Sequence, residues 1–199
     1  MKELSQHKFK FNPYLEDLYQ SDKSLIIYKV DGGYNIYTDF SKRIILTKKN
    51  IYKFLYSIEK KKYKKETDLY LGFFGYEILC NLIGIKVKNK KRINFYKGIF
   101  YKPETIIKIR KDIKVISNIK KHKFSYQFNK TQILGPFKIN ISYSKYKKIF
   151  ELFSKKIRQG ETYQIKICTK YKNKSLINPI NFFWKLMRVN ASPESFMIR

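Results

Sequence analysis

Apolar residues recur along this chain in two rhythms, at alternate positions in some stretches and every third or fourth position in others. Leu25–Val30 is apolar and extended, Asp31-Gly32-Gly33 is a turn signal, and residues 34–40 resume with alternation. That pattern predicts a β-hairpin, followed by a third strand at 43–47. Asn50 stands where a helix cap belongs, ahead of Ile51, Phe54, Leu55 and Ile58 at helical spacing. Residues 68–74 read as a short strand running into Gly75, and 76–83 as a short helix closed by Gly84. Residues 86–97 are polar and basic, hence a loop. Residues 104–110 and 113–119, around Lys111-Asp112, read as a second hairpin, and 120–135 as a connection without a clean period.

The clearest helix begins after Ser144. Tyr146, Ile149, Phe150, Phe153 and Ile157 form one apolar stripe, and Gly160 sits where a terminating glycine belongs. A strand is expected next, with Tyr163, Ile165 and Ile167 facing one way and Gln164, Lys166 and Cys168 the other. Asn178 and Pro179 open a further helix with Ile180, Phe183, Trp184 and Met187 on one face. Residues 190–193 break it, and Phe196-Met197-Ile198 begins a strand at which the sequence stops, as an element left unfinished would. Hairpins outnumber crossovers, so the fold class is α+β, with layers of helix on a mainly antiparallel sheet. No internal repeat or low-complexity linker divides the chain, so one structural domain is the economical expectation.

Composition sharpens this picture. Of 199 residues, 43% are hydrophobic and 17% aromatic, enough for a packed core. No run of eighteen apolar residues occurs and residues 1–10 lack a signal-peptide core, so a cytoplasmic protein is expected. Cys80 and Cys168 lie far apart and only His7 and His122 accompany them, which excludes a disulfide framework and a His/Cys zinc site of the usual spacings. Lys+Arg number 44 against 15 Asp+Glu, a net charge of +29. A basic nucleic-acid-binding protein is the reading from another class that such a charge invites. However, the basic residues are mostly lysines, spread along the whole length apart from a run at 60–65. Ile, Asn, Tyr and Phe abound while Ala191 is the one alanine. A/T-rich codons account for all of this together, whereas nucleic-acid binding accounts only for the lysines. Specific recognition also favours the bidentate fork of arginine, which is scarce. No Ser-His-Asp set, Walker loop, paired carboxylates or metal cluster appears.

Two stretches carry a resemblance. Gly72-Phe73-Phe74-Gly75-Tyr76-Glu77 is similar to the Gly-x-x-Gly-Tyr-Asp/Glu segment of component I of anthranilate synthase and aminodeoxychorismate synthase. By the residues alone it is a strand–glycine–helix turn, with glycines that let backbones approach and Tyr76 in the core. The second stretch runs from Tyr146 to Met197. It contains Ile157-Arg158-Gln159-Gly160-Glu161-Thr162-Tyr163-Gln164-Ile165 and later Arg188-Val189-Asn190-Ala191-Ser192-Pro193, in the family order and at the family separation. The resemblance covers roughly residues 68–199, the start of the chorismate-binding fold, while 1–67, a β-rich N-terminal part, matches in outline.

The resemblance implies a two-sheet sandwich with flanking helices. It also implies chorismate as substrate, Mg²⁺ as cofactor, and a glutamine amidotransferase subunit as the source of ammonia. The acidic Mg²⁺ ligands and catalytic histidine of the family have no counterpart in these residues, so the chain is expected to be an incomplete fold that does not turn over chorismate alone. Gln164 aligns with the glutamine of ammonia-using members, where water-using isochorismate synthases carry lysine. A lysine of lowered pKa can deprotonate water, whereas a neutral amide can only orient an amine. Without the resemblance, Gln164 is an exposed polar residue on a half-buried strand. Pro193, Glu194 and Ser195 align with a turn that holds a feedback ligand in many anthranilate synthases. The Leu-Leu-Glu-Ser partner of that turn is replaced here by Ser24-Leu25-Ile26-Ile27, and Glu194 stands where an aromatic residue is usual. These departures, with polar Lys166 beside Gln164, favour aminodeoxychorismate synthase in para-aminobenzoate and folate biosynthesis. Anthranilate synthase component I of tryptophan biosynthesis is the alternative.

Overall fold

The computed structural model describes residues 13–85, 95–120, 135–175 and 177–199. Both histidines, most of the basic 86–97 loop and most of the 120–135 connection lie outside these residues. The protein is mixed α+β and divides into two compact units, Met1–Gln127 with Pro179–Arg199, and Phe128–Asn178.

The larger unit is an antiparallel curled sheet with helices packed on it. Helix α1 spans Pro13–Gln20, and the hairpin is β1, Leu25–Val30, with β2, Gly33–Ile45. Helix α2 (Ile51–Glu59), strand β3 (Leu71–Phe74), helix α3 (Tyr76–Leu82), and strands β4 (Gly98–Ile109) and β5 (Ile113–Ser117) follow. Strand order is β3-β4-β2-β1, continued by a last strand at Phe196–Ile198 that lies beside β1. The twelve-residue β4 pairs along one edge with β2, while its other edge serves β3 at 98–101 and β5 at 105–109. Two expected strands, 34–40 and 43–47, are one continuous β2. The bend between them is a bulge at Phe40/Lys42, beside Asp39 at φ 52°. Aspartate tolerates that left-handed conformation better than most residues. Pro103 of β4 sits opposite Phe40 at this irregular point, where its missing N–H interrupts no regular ladder.

Period-two patterning gives the sheet two apolar faces. Leu25, Ile27, Ile36, Ile107 and Ile109 meet Leu18 and Tyr19 of α1 in one cluster, joined by Ile180, Phe183, Trp184 and Met187. Those last four belong to the helix Pro179–Val189 and fall on the face that the sequence assigned to the core. Ile26, Tyr37 and Ile106 form a cluster with the opposite parity. A third cluster joins Leu46, Ile51 and Phe54 to Ile78 and Phe100, fixing α2 and α3. Each such buried side chain contributes about 1.5–3 kcal/mol relative to exposure. Asn50 does not cap α2 with its side chain. Its Oδ1 accepts Thr47 N–H at 2.8 Å and its Nδ2 donates to Ile45 O at 2.9 Å, closing the preceding turn instead. Helix α1, which the periodicity did not reveal, has only two turns from which to show a period.

The smaller unit contains a two-residue ladder, β6 (Lys138–Ile139) with β7 (Tyr171–Lys172), and helix α4 (Tyr143–Arg158) between them. The helix begins two residues earlier than the stripe suggests: Ser142 is the cap, accepting Lys145 N–H, and Gly160 ends the helix at φ 74°. No residue of α4 is fully buried. Tyr146, Ile149 and Phe153 are half-buried, while Phe150 and Ile157 are 54% and 40% exposed. The expected strand over 163–168 does not form either. Residues 161–170 pair with no strand among the described residues, and Tyr163 is 93% exposed. A strand exists only through its ladder, so alternation without a partner leaves unpaired chain. Ile165 and Ile167 are still half-buried, and Gln164, Lys166 and Cys168 exposed, so that much of the alternation survives. In the larger unit, α5 is Pro179–Val189 and β8 is Phe196–Ile198. No helix among the described residues is long and apolar enough to cross a membrane.

Candidate functional site

The glycine motif at 72–77 is a close-approach device. A Cβ on Gly72 would lie 1.9 Å from Ile99 O, and one on Gly75 would lie 2.4 Å from Lys97 O. Both glycines therefore let β3 and the start of α3 press against the backbone of β4, and Gly75 N–H donates to Lys97 O at 2.7 Å. Tyr76 is not a core residue: it is 71% exposed, because α3 turns Ile78 and Cys80 inward instead.

The turn at 190–195 is fixed between α5 and β8. Asn190 N–H donates to Leu186 O at 2.8 Å as the helix closes, and Ser192 N–H donates to Asn190 O at 3.0 Å. Strand β8 then pairs antiparallel with β1, with Ile26 opposite Ile198, Ile27 opposite Met197 and Tyr28 opposite Phe196. Lys29 N–H extends this ladder to Ser195 O at 2.8 Å. Strand β1, which contains Leu25, Ile26 and Ile27, thus lies beside β8, which the 193–195 turn leads into. Pro193 and Glu194 are exposed, and Ser195 is buried with its hydroxyl donating to Ser192 O. Two contacts have no sequence signal, since over 160 residues separate the partners: Lys29 Nζ donates to Ser192 O at 2.7 Å, and Tyr28 Oη donates to Glu194 Oε2 at 3.2 Å. The Glu194 carboxylate beside the Tyr28 phenol raises its pKa above the ordinary tyrosine value. Beyond the turn, the Arg199 guanidinium donates to the carbonyls of Leu18, Tyr19 and Lys23, so the C-terminus of α1 is held by a cation. Partial burial lowers the pKa of that guanidinium.

Gln164 belongs to the smaller unit, in the unpaired segment after α4. Its carbonyl accepts the Thr162 hydroxyl at 3.2 Å and its side chain is open to solvent. Lys166, two residues on, is exposed as well. The amide is a neutral donor and acceptor that can orient a nucleophile but cannot remove a proton from it.

Asp39, Glu66, Asp68 and Glu104 of the larger unit each pair with a lysine. Asp68 is 3.7 Å from Lys61 Nζ and 3.6 Å from Lys102 Nζ, and it accepts the backbone N–H of Lys64 and Lys65. Desolvation works against its charge, but these donors and cations prevail and lower its pKa. Glu104 is lowered in the same way: burial opposes, while Ser41, Asn118 and Lys102 outweigh it. Among the described residues no three His, Cys, Asp or Glu side chains gather to hold a metal. The Mg²⁺ implied by the resemblance therefore finds no ligand set in them. Exposed lysines stand on α2, β5, α4 and α5 alike, at Lys53, Lys114, Lys147 and Lys185.

No curated protein matches the chain. The profile of the chorismate binding enzyme family matches residues 14–199, taking in the N-terminal strands that the motifs alone aligned only in outline. With both motif stretches inside that span, the protein belongs to the family of chorismate-binding, chorismate-utilising enzymes.

Proposed function

We propose that this protein is the component I type that aminates chorismate, the aminodeoxychorismate synthase reaction, with ammonia delivered by a glutamine amidotransferase subunit. The family match supports chorismate as the substrate. The observation that carries the choice of nitrogen over water is Gln164: a neutral, solvent-facing amide stands where a water-activating branch needs a base. In the reaction Gln164 accepts a hydrogen bond from the incoming amine and aims its lone pair at the ring carbon, a positioning role in which the amide is not consumed. Exposed Lys166, two residues on, supports the para-aminobenzoate branch over the anthranilate branch.

In this reading the curled sheet and its helices are one part of a two-sheet sandwich. The cytoplasm is the compartment, in keeping with two free cysteines. Mg²⁺ is common in the family, and the described residues do not supply its ligands.

The test is product analysis with chorismate, ammonia and the amidotransferase, in an enzyme that joins these residues to the family's acidic Mg²⁺ ligands and catalytic histidine. Gln164→Ala is expected to slow amination about 10- to 100-fold while the fold stays intact. Gln164→Lys is expected to divert product toward the hydroxylated compound. An unchanged rate and affinity in Gln164→Ala would remove Gln164 from the chemistry. Release of pyruvate with the aminated ring would move the protein to the anthranilate branch.

A further inference from the structure

We infer that the outer side of α2, with the lysine run that follows it, binds single-stranded nucleic acid without regard to sequence. Composition sets the average charge of this chain, but not its density here. Residues 48–65 hold eight lysines in eighteen positions, against 44 Lys+Arg in 199 for the whole chain, and Glu59 is their one acid. The carboxylates that follow the run are already paired, Asp68 with Lys61 and Lys102, and Glu66 with Lys108. Lys53, Lys60, Lys62 and Lys64 are exposed and pair with no carboxylate among the described residues.

Charge alone would hold any polyanion; the tyrosines narrow the partner. Tyr52 and Tyr56 stand one turn apart on the same side of α2. They are 65% and 62% exposed, because Ile51 and Phe54 take the other side of the helix into the core. Lys60 Nζ lies 5.4 Å from the Tyr56 ring centroid, a cation already set beside a ring face. Beyond the helix, Tyr63 is exposed with Lys61 Nζ 5.4 Å from its ring. The run is also anchored: Asp68 accepts the N–H groups of Lys64 and Lys65, and Lys61 lies over the Tyr70 ring at 5.0 Å. Exposed rings interleaved with cations are what a surface needs to stack bases and follow a phosphate backbone. A duplex keeps its base faces stacked within itself, so the rings select unpaired strands. A bilayer would need the apolar side of α2, which the core holds. An acidic peptide offers carboxylates to the lysines but no flat face to the rings. Lysine in place of arginine suits phosphate contact without base readout.

The experiment is fluorescence anisotropy of the purified chain with labelled oligo-dT and oligo-U of about 15 nucleotides, across a salt series. Strands are expected to bind more tightly than a duplex of equal phosphate number and than poly-glutamate of equal charge, and the tighter of the two strands distinguishes DNA from RNA. Tyr52→Ala with Tyr56→Ala leaves the charge unchanged and is expected to weaken strand binding about 10- to 100-fold at an unchanged salt slope. Lys53→Gln, Lys60→Gln and Lys62→Gln together are expected to lower that slope by about 2. The charge-matched control, Lys114→Gln with Lys147→Gln and Lys185→Gln, is expected to leave it nearly unchanged. Equal losses in the two lysine variants would make the binding a property of total charge and overturn the inference. A tyrosine variant that binds strands as wild type does would overturn it too. Poly-glutamate bound as tightly as the strands would replace nucleic acid with an acidic protein partner. Tyr52→Leu with Tyr56→Leu keeps helix-forming apolar side chains without the rings and serves as a second variant, with thermal midpoints checking the fold of each.

Discussion

The Trp184 and Tyr34 rings meet edge to face, with centroids 4.7 Å apart and planes at 80°. Tyr34 lies near the start of β2 and Trp184 lies 150 positions later on α5, so this pair joins the last helix to the first hairpin. Trp184→Ala is expected to cost about 3–5 kcal/mol, the range for a large aromatic removed from a core. Phe153→Ala on α4, where the site is only half-buried, is expected to cost about 1 kcal/mol. Urea unfolding of both variants measures the ratio, and equal losses would show that α4 is buried as its stripe alone suggests.

Asp39 gathers four elements. Its carboxylate accepts the Tyr14 hydroxyl at 3.2 Å, Lys23 Nζ at 2.5 Å and the Thr105 hydroxyl at 2.8 Å, and Thr105 in turn bonds Ser117. The carboxylate charge and burial together raise the Tyr14 pKa, burial being the larger cause. Asp39→Ala is expected to destabilise by about 2–4 kcal/mol, somewhat below a fully buried pair because Lys23 retains some access to water. Asp39→Asn is expected to lose less, since asparagine keeps a hydrogen-bonding oxygen and tolerates φ 52°. Chemical denaturation gives the order, and Asn as costly as Ala would mean that the charge alone matters.

Two glycines separate space from conformation. Gly72→Ala puts a methyl 1.9 Å from Ile99 O and is expected to detach β3, read as loss of hydrogen-exchange protection at residues 71–74. Gly84→Ala meets nothing within 4 Å and carries only the left-handed penalty at φ 77°, about 1 kcal/mol. Comparable protection of β3 in both variants would refute the close-approach reading.

Acid should weaken the larger unit. Glu66, Asp68 and Glu104 all have folded-state pKa values below their ordinary values, with Glu66 lowered chiefly by its bond to Lys108. A depressed carboxylate binds its proton more readily in the unfolded chain. Its contribution is therefore complete above the ordinary carboxylate range and is lost as pH falls through the folded value. Thermal midpoints should fall below about pH 4.5, and Asp68→Asn should flatten that decline. An Asp68→Asn curve parallel to wild type would exclude Asp68 as a contributor.

Local pattern carried much of the architecture. The first hairpin, α2, α3, the stripe of α4, the buried face of α5 and the final strand could all be named from residues whose spacing matches a period of two or 3.6. The family too was legible, through Gly72–Tyr76 and the Gly160–Gln164 and Asn190–Pro193 segments, because close backbone approaches and tight turns restrict which residues fit. Spacing could not say whether 163–168 would find a partner, because a ladder depends on another segment being present and in register. Nor could it show that Tyr76 faces water, that Asn50 turns back to Ile45, or that Lys29 reaches Ser192, since each depends on what lies opposite in space. The sequence by itself determined most of the elements and the family, because those follow from side-chain periodicity and backbone permission. Only the tertiary structure decided which side chains are buried, which carbonyls are taken and how the 190–195 turn is held, because burial and hydrogen bonding belong to pairs of segments and not to either one alone.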